Sequence, residues 1–419
     1  MKRKKNYDKR FSLRARFQFF VIANTVATIF VLIGLFLTQK KDTSVTTYSS
    51  PSISPSAISS LKKDDLLSTN SNILSNKSLQ SVESNSSKIL PPVSFQQPKQ
   101  PIQEIAYKFI DYPDFQQNKQ LQSIIDDVVN FARNKNLSTE EISISLIDVN
   151  KGEIAGYQEN KLRFPASVAK LFWMVALYGQ FESSILQEPG MFDGDLDKMI
   201  QESDNEATSR IIDYITDTRS GSELKGIQYQ NWLYKRTWIN RFFQKAGYQG
   251  INISNKTFPI PSEMMDLPKG RDLQLRGSNI KNQARNKIST QQAARLMYEI
   301  ANKRALSPES SQKMMAWLDR TEIIKSGSWK NIDPNFYFNP IKGFLGEYFA
   351  TISQPVYFAS KAGWTSKTRQ EVAYINDGKN IYILAIFVES PDYAQNWKIF
   401  PEISKLIYQK MRDRNNKYG

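Results

Sequence analysis

A serine stands at the head of an apolar helical run, three residues before a lysine, in Phe164-Pro165-Ala166-Ser167-Val168-Ala169-Lys170. Positions i and i+3 of a helix share a face, so the lysine amine can stand beside the serine hydroxyl. Such a pair is a nucleophile that needs no imidazole, and the chain has no histidine and no cysteine. Ser-His-Asp catalysis, thiol catalysis, disulfides and thiolate metal sites are excluded. No metal or other cofactor is expected, because zinc sites draw on histidine and cysteine.

Apolar residues cluster in two places, residues 17–37 and beyond about residue 104. The run 17–37 is uncharged; at 1.5 Å per residue it spans about 31 Å, enough for a hydrocarbon core of about 30 Å. Lys2, Arg3, Lys4, Lys5, Lys9, Arg10, Arg14 and Arg16 precede it. The positive-inside rule then holds the tail 1–16 in the cytoplasm and exports the rest of the chain. Thr38-Gln39-Lys40-Lys41 gives no small-x-small cleavage site, so a single-pass, uncleaved anchor at the plasma (inner) membrane is expected. Residues 1–41 hold ten bases and one acid, which is +9 of the net +15. The basicity is therefore a topology signal, and no nucleic-acid partner is expected.

Residues 38–103 read as a Ser/Pro/Asn-rich linker: 17 of the 53 residues from Asp42 to Ser94 are serine. Too little apolar surface is available there to offset the entropy of ordering, so a disordered tether is expected. The folded domain is expected over 104–419. Leu121–Phe131 repeats apolar residues at helical spacing; Ile142–Val149 alternates as a strand, and Glu153–Tyr157 returns after the turn Asn150-Lys151-Gly152. A helical block continues to about Arg320, including Trp232–Ala246, Thr290–Lys303 and Pro308–Leu318. Val356–Ala359, Glu371–Ile375 and Ile381–Glu389 are the late strands, with a hairpin at Asn376-Asp377-Gly378, and a last helix covers Ala394–Met411. This order predicts an α+β fold. Early and late strands join in one antiparallel sheet flanked by helices, and the helical block forms a separate lobe.

Three motifs fall in sequence: Ser167-Val168-Ala169-Lys170, Ser203-Asp204-Asn205 and Lys361-Ala362-Gly363. Each alone has a plain reading: a helix N-cap, a second cap, and a strand end. Together, in order, the chain resembles the serine β-lactamase and penicillin-binding superfamily, in particular class A β-lactamases, whose signature is S-x-x-K, S-D-N and K-T-G. The likeness covers roughly residues 120–415 and implies the β-lactamase/transpeptidase-like fold. It implies that Ser167 forms an acyl-enzyme, that Lys170 takes its proton when neutral, and that Ser203 relays a proton to the leaving nitrogen. Lys361 would supply the second cation that depresses Lys170. Asn205, Gly363, Trp364 and Thr365 would bind substrate, with the backbone N–H groups of Ser167 and Trp364 as the oxyanion hole. The implied substrates are β-lactams or peptidoglycan stem peptides, and the chain is expected to act as a monomer. β-Lactam hydrolysis is the expected activity. A D-alanyl carboxypeptidase or penicillin-binding protein, and a silent cell-wall-peptide binding module, are the alternatives.

The chain departs from the pattern at two places. Ala362 replaces a hydroxyl residue that holds the substrate carboxylate; Thr365, Ser366 and Arg369 are candidates to compensate. The loop glutamate that activates the deacylating water falls, by local likeness to Asn255-Lys256-Thr257-Phe258-Pro259, on Phe258. Glu263, with Asp266 nearby, is the candidate replacement on an expanded loop. Phe172, Trp173, Trp232, Trp238, Phe242 and Phe243 read as packing residues, whereas Trp364 is expected to border the cleft.

Overall fold

One sheet receives strands from both ends of the domain. In the computed structural model β1 (Gln116–Gln117), β2 (Ile142–Asp148) and β3 (Glu153–Tyr157) precede the helical block. β4 (Tyr357–Thr365), β5 (Thr368–Asn376) and β6 (Ile381–Val388) come after it. The structure describes residues 105–416 apart from 112, 188, 278, 280–281 and 334–336. The tail, the run 17–37 and the linker lie outside the described residues. Among the described residues no helix is long and apolar enough to cross a membrane.

The strand order is β1-β3-β2-β6-β5-β4. β2 pairs with β6 from Ile142↔Val388 to Asp148↔Tyr382, so early and late strands meet as an α+β fold requires. The sheet is mixed, which corrects the fully antiparallel expectation: β1 runs parallel to β3. The cause is local. Asn118 donates its backbone N–H to the Ile154 carbonyl and its amide to Glu153 Oε1 at 2.8 Å, which ties the entry to the first helix alongside β3.

The sheet has a core on each face. Along β6, Tyr382, Leu384, Ile386 and Val388 enter one core, while Ile383, Ala385 and Phe387 enter the other. Side chains alternate along a strand, so a strand covered on both faces is apolar throughout. One face is covered by α1 (Lys119–Asn134) and by a C-terminal helix, Ile399–Asn416. α1 offers Leu121, Ile124, Ile125, Val128 and Ala132 at the spacing of a single helical stripe. The other face meets the helical block, whose centre is α2 (Ala169–Glu182). Every α2 residue from Ala169 to Gln180 is buried, as suits a helix that is apolar all round. The six aromatic residues read as packing are all buried.

Several boundaries differ from the sequence reading. Trp232–Ala246 is not one helix: Gly226–Arg236 and Trp238–Gln244 are separated at Thr237, whose hydroxyl bonds the Leu233 carbonyl at 2.8 Å. The last helix begins at Ile399, after a separate turn Pro391–Ala394 capped by Ser390. β4 and β5 run on to Thr365 and start at Thr368, so Lys361-Ala362-Gly363 lies within a strand and not at its end. Lys361 and Gly363 interrupt the apolar alternation because they face the site.

Candidate active site

Ser167 sits in a 3-10 turn, Ala166–Val168, that runs into α2. Its hydroxyl caps nothing, so the plain N-cap reading fails at this position. β4 passes close beside it. A Cβ on Gly363 would stand 2.6 Å from the Ser167 nitrogen and 3.1 Å from the Pro165 carbonyl oxygen. Glycine is the residue that allows this approach of two backbones.

The second motif arrives on a π-turn, Lys198–Glu202, which ends on Ser203 in the left-handed region (φ 60°, ψ 29°). Such a backbone costs energy for a residue with a Cβ and is found at functional sites. Asp204 then caps α3 (Asn205–Thr216), accepting from the Ala207 N–H at 2.7 Å. The motif thus divides its labour: Asp204 is structural, and Ser203 and Asn205 face the cleft.

The two lysines converge on Ser203. Lys361 Nζ donates to Ser203 Oγ at 3.0 Å and to the Ala362 carbonyl at 3.0 Å. Lys170 Nζ donates to Ser203 Oγ at 3.3 Å, to Asn205 Oδ1 at 3.0 Å and to the Ser203 carbonyl. With both lone pairs engaged, the Ser203 hydroxyl keeps its own proton to donate elsewhere. Among the described residues Ser167 Oγ has no hydrogen bond, and Lys170 Nζ is engaged by Ser203 and Asn205.

Both ammonium groups are fully buried. Burial pushes Lys170 down to about 7, against the opposing pull of Asp204. Lys361 is held well below its ordinary value by burial, then by Lys170 and Arg320, with Glu371 opposing. Glu371 lies on β5 opposite Ala362, accepts from the Leu345 N–H at 2.7 Å, and is pushed up to about 7 by burial. Sequence reasoning missed Glu371 and Arg320: neither belongs to a motif, and only the fold brings their charges near Lys361.

A cavity of about 280 Å³ opens at Ser167, lined also by Asn205, Trp364 and Thr365. An adjacent one of about 320 Å³ holds Ser203 and Asn205 with Tyr337 and Phe338. The Trp364 indole is held by the Ala394 carbonyl at 2.8 Å and by the Trp397 ring. Ala362 turns its methyl into the core under the sheet. Of the three candidates to compensate for it, only Thr365 lines the Ser167 cavity. Arg369 is buried, bonded to the Gly343 and Ala394 carbonyls and stacked 4.2 Å from Trp397, which corrects its candidacy.

The family model described as "Beta-lactamase enzyme family" matches residues 196–411, just over half of the 419-residue chain. The chain belongs to the beta-lactamase enzyme family. It is a serine hydrolase acting on amide bonds. Among solved structures it is similar to the β-lactamase from Sphaerobacter thermophilus DSM 20745, at 17% identity over 69% of this chain and 97% of that one, TM-score 0.47. It is also similar to PBP-A, at 16% identity over 72% and 100%, TM-score 0.47. A class A β-lactamase from Bacteroides cellulosilyticus DSM 14838 shows 15% identity over 71% and 99%, TM-score 0.45. No curated protein sequence matches this chain.

In this β-lactamase-family hydrolase the loop wall of the cleft departs most from the signature. Phe258 lines the Ser167 cavity, and so does Asp266, but Glu263 does not. Glu263 Oε1 accepts from Ser209 Oγ at 2.9 Å and from Lys256 Nζ at 3.0 Å. Lys256 also bonds Asp213 and Ser220, each at 2.8 Å. Burial works against the Glu263 charge, yet Lys256 and the hydroxyls of Ser220 and Ser209 hold its pKa below the ordinary value. Glu263 is thus one carboxylate of a buried ion cluster behind the cleft wall. Arg276 and Arg285 also line the cavity, and sequence reasoning missed both.

Proposed function

We propose that this hydrolase is exported, held at the plasma membrane by residues 17–37 and spaced from it by the linker 38–103. We propose that Ser167 is acylated there by β-lactams or by peptide amides of peptidoglycan stems. The observation that carries the reading is the Ser203 hydroxyl shared by two buried lysines, one of them three residues after Ser167 at the head of α2. Ser167 Oγ attacks the substrate carbonyl, and its proton passes to neutral Lys170. A lysine pushed down to about 7 is neutral in roughly half of the molecules near neutral pH and can accept it. As the C–N bond breaks, Ser203 gives its proton to the leaving nitrogen and is replenished from Lys170 or Lys361. The Ser167 N–H at the head of the turn, with that of Trp364 across the Gly363 approach, stabilises the oxyanion. Asn205 holds the substrate amide, and Thr365 lines the cavity that would receive the rest of the substrate.

Phe258 favours slow deacylation, because an apolar ring stands where a water-activating carboxylate is needed. That observation supports a penicillin-binding or D-alanyl carboxypeptidase activity beside β-lactam hydrolysis. Chromogenic cephalosporin kinetics separate the two: one burst per enzyme without steady turnover indicates a penicillin-binding protein, and sustained turnover a β-lactamase. A full-length mass in the membrane fraction is expected for the anchor; a soluble product trimmed near residue 38 would overturn it.

A further inference from the structure

The wall opposite β4 carries two guanidinium groups that the acylation chemistry does not use. Arg276 ends the short helix Gly270–Arg276, and Arg285 ends a loop that closes on it, because Ala284 donates its N–H to the Arg276 carbonyl at 2.8 Å. Arg285 is fixed from the other side. The Asn286 amide accepts from the Asn255 N–H at 2.9 Å and donates to the Asn255 carbonyl at 2.8 Å, clamping this segment to the loop that carries Phe258. The Arg276 guanidinium lies 5.4 Å over the Phe258 ring, and that of Arg285 lies 5.9 Å over Phe164, three residues before the nucleophile.

Neither arginine forms a salt bridge among the described residues. Arg276 Nε is buried without a hydrogen-bond partner. Asp266 lines the same cavity and is bonded to neither arginine. Lys256, the third cation on the wall, is already saturated by Asp213, Ser220 and Glu263. Two like charges brought together repel unless an anion lies between them. Burial and then Arg285 push Arg276 down to about 10, against the opposing pull of Asp272 one turn earlier on the same helix.

We infer that Arg276 and Arg285 form a carboxylate-binding subsite of the Ser167 cavity, so that the preferred substrates carry an anionic group on the part that meets this wall. This rests on the acyl-enzyme reading and extends it to a substrate class. A guanidinium fork matches a carboxylate in geometry and charge. The resemblance puts the carboxylate beside the scissile amide at β4, so the anion assigned to this second wall is one on the acyl side chain; discrimination that depends instead on the ring carboxylate would contradict the assignment.

Three penicillins distinguish the two carboxylates: benzylpenicillin, its ring-carboxylate methyl ester, and α-carboxybenzylpenicillin. Acylation rate constants are measured for the wild type and for Arg276→Gln and Arg285→Gln. Removing the carboxylate that the arginines hold should slow wild-type acylation about 10-fold, the size of one charge-assisted pair. The variants should lose that discrimination while still acylating with the uncharged analogue. Arg285→Lys should restore part of it, and added salt should weaken it in the wild type. Equal discrimination in wild type and variants overturns the subsite and leaves the acyl-enzyme reading intact. If none of the probes acylates the wild type, that reading falls instead. Equilibrium binding of the same three probes then decides the subsite by the same comparison.

Discussion

Lys361 Nζ lies 3.0 Å from Ser203 Oγ, and this places a cation from the sheet against a hydroxyl from the helical lobe. Lys170 approaches the same oxygen from α2 at 3.3 Å. Ser203→Ala removes the acceptor that both lysines share and the donor aimed at the leaving nitrogen. Acylation by benzylpenicillin is expected to slow by roughly 10²–10⁴-fold, the usual contribution of a positioned acid or base. Stopped-flow kinetics check this; a loss under threefold would show that Ser203 carries no proton.

Lys170 sets the pH dependence. Acylation needs its neutral form, so the rate should rise with pH through about 7 and level off above it. The same burial bears on stability. Folding lowers this pKa from 10.5 to about 7, so the unfolded chain binds more protons between those values and stability rises with pH across that window. Lys170→Met should therefore stabilise the fold more at pH ~6 than at pH ~9, by on the order of 2 kcal/mol or more, seen as a larger rise in melting temperature at the lower pH. Thermal denaturation at the two values checks it; a variant destabilised equally at both would contradict it.

Gly363→Ala tests the approach of β4 to the nucleophile. The added methyl would stand 2.6 Å from the Ser167 nitrogen, a backbone atom that cannot swing aside. Acylation is expected to fall at least 10-fold and stability by about 1–3 kcal/mol, as for an overpacked site. Unchanged acylation would mean that the strand is not seated against the turn.

Much of this was legible in the sequence, and the limits are physical. Ser167, Lys170, Ser203, Asn205, Lys361 and Gly363 could be named because three short motifs in order resemble the family signature. β2 and β6 could be read because alternation and turn residues are local signals. β1 could not, since two residues carry no periodicity and their pairing depends on Asn118 reaching Glu153. Arg276 and Arg285 stood in a stretch without a motif, where the Asn255–Asn286 clamp and the Ala284 bond hold them at the cleft. Glu371 sat within an expected strand, but nothing nearby in sequence told that its charge would lie close to those of Arg320 and Lys361.

Phe258→Glu tests the deacylation wall. Position 258 lines the Ser167 cavity, so a carboxylate there would stand in the same cavity as the acylated serine. The acyl-enzyme lifetime is expected to shorten about 10-fold or more, with steady cephalosporin turnover appearing. An unchanged lifetime, in a variant that still acylates, would show that the wall is too far away to activate water.

The most direct measurement is the mass of the protein after exposure to a penicillin, with mapping of the modified peptide. The expected result is one adduct per chain, on Ser167, absent from Ser167→Ala. No adduct at millimolar penicillin, or an adduct that persists in Ser167→Ala, would contradict an acyl-enzyme at this serine.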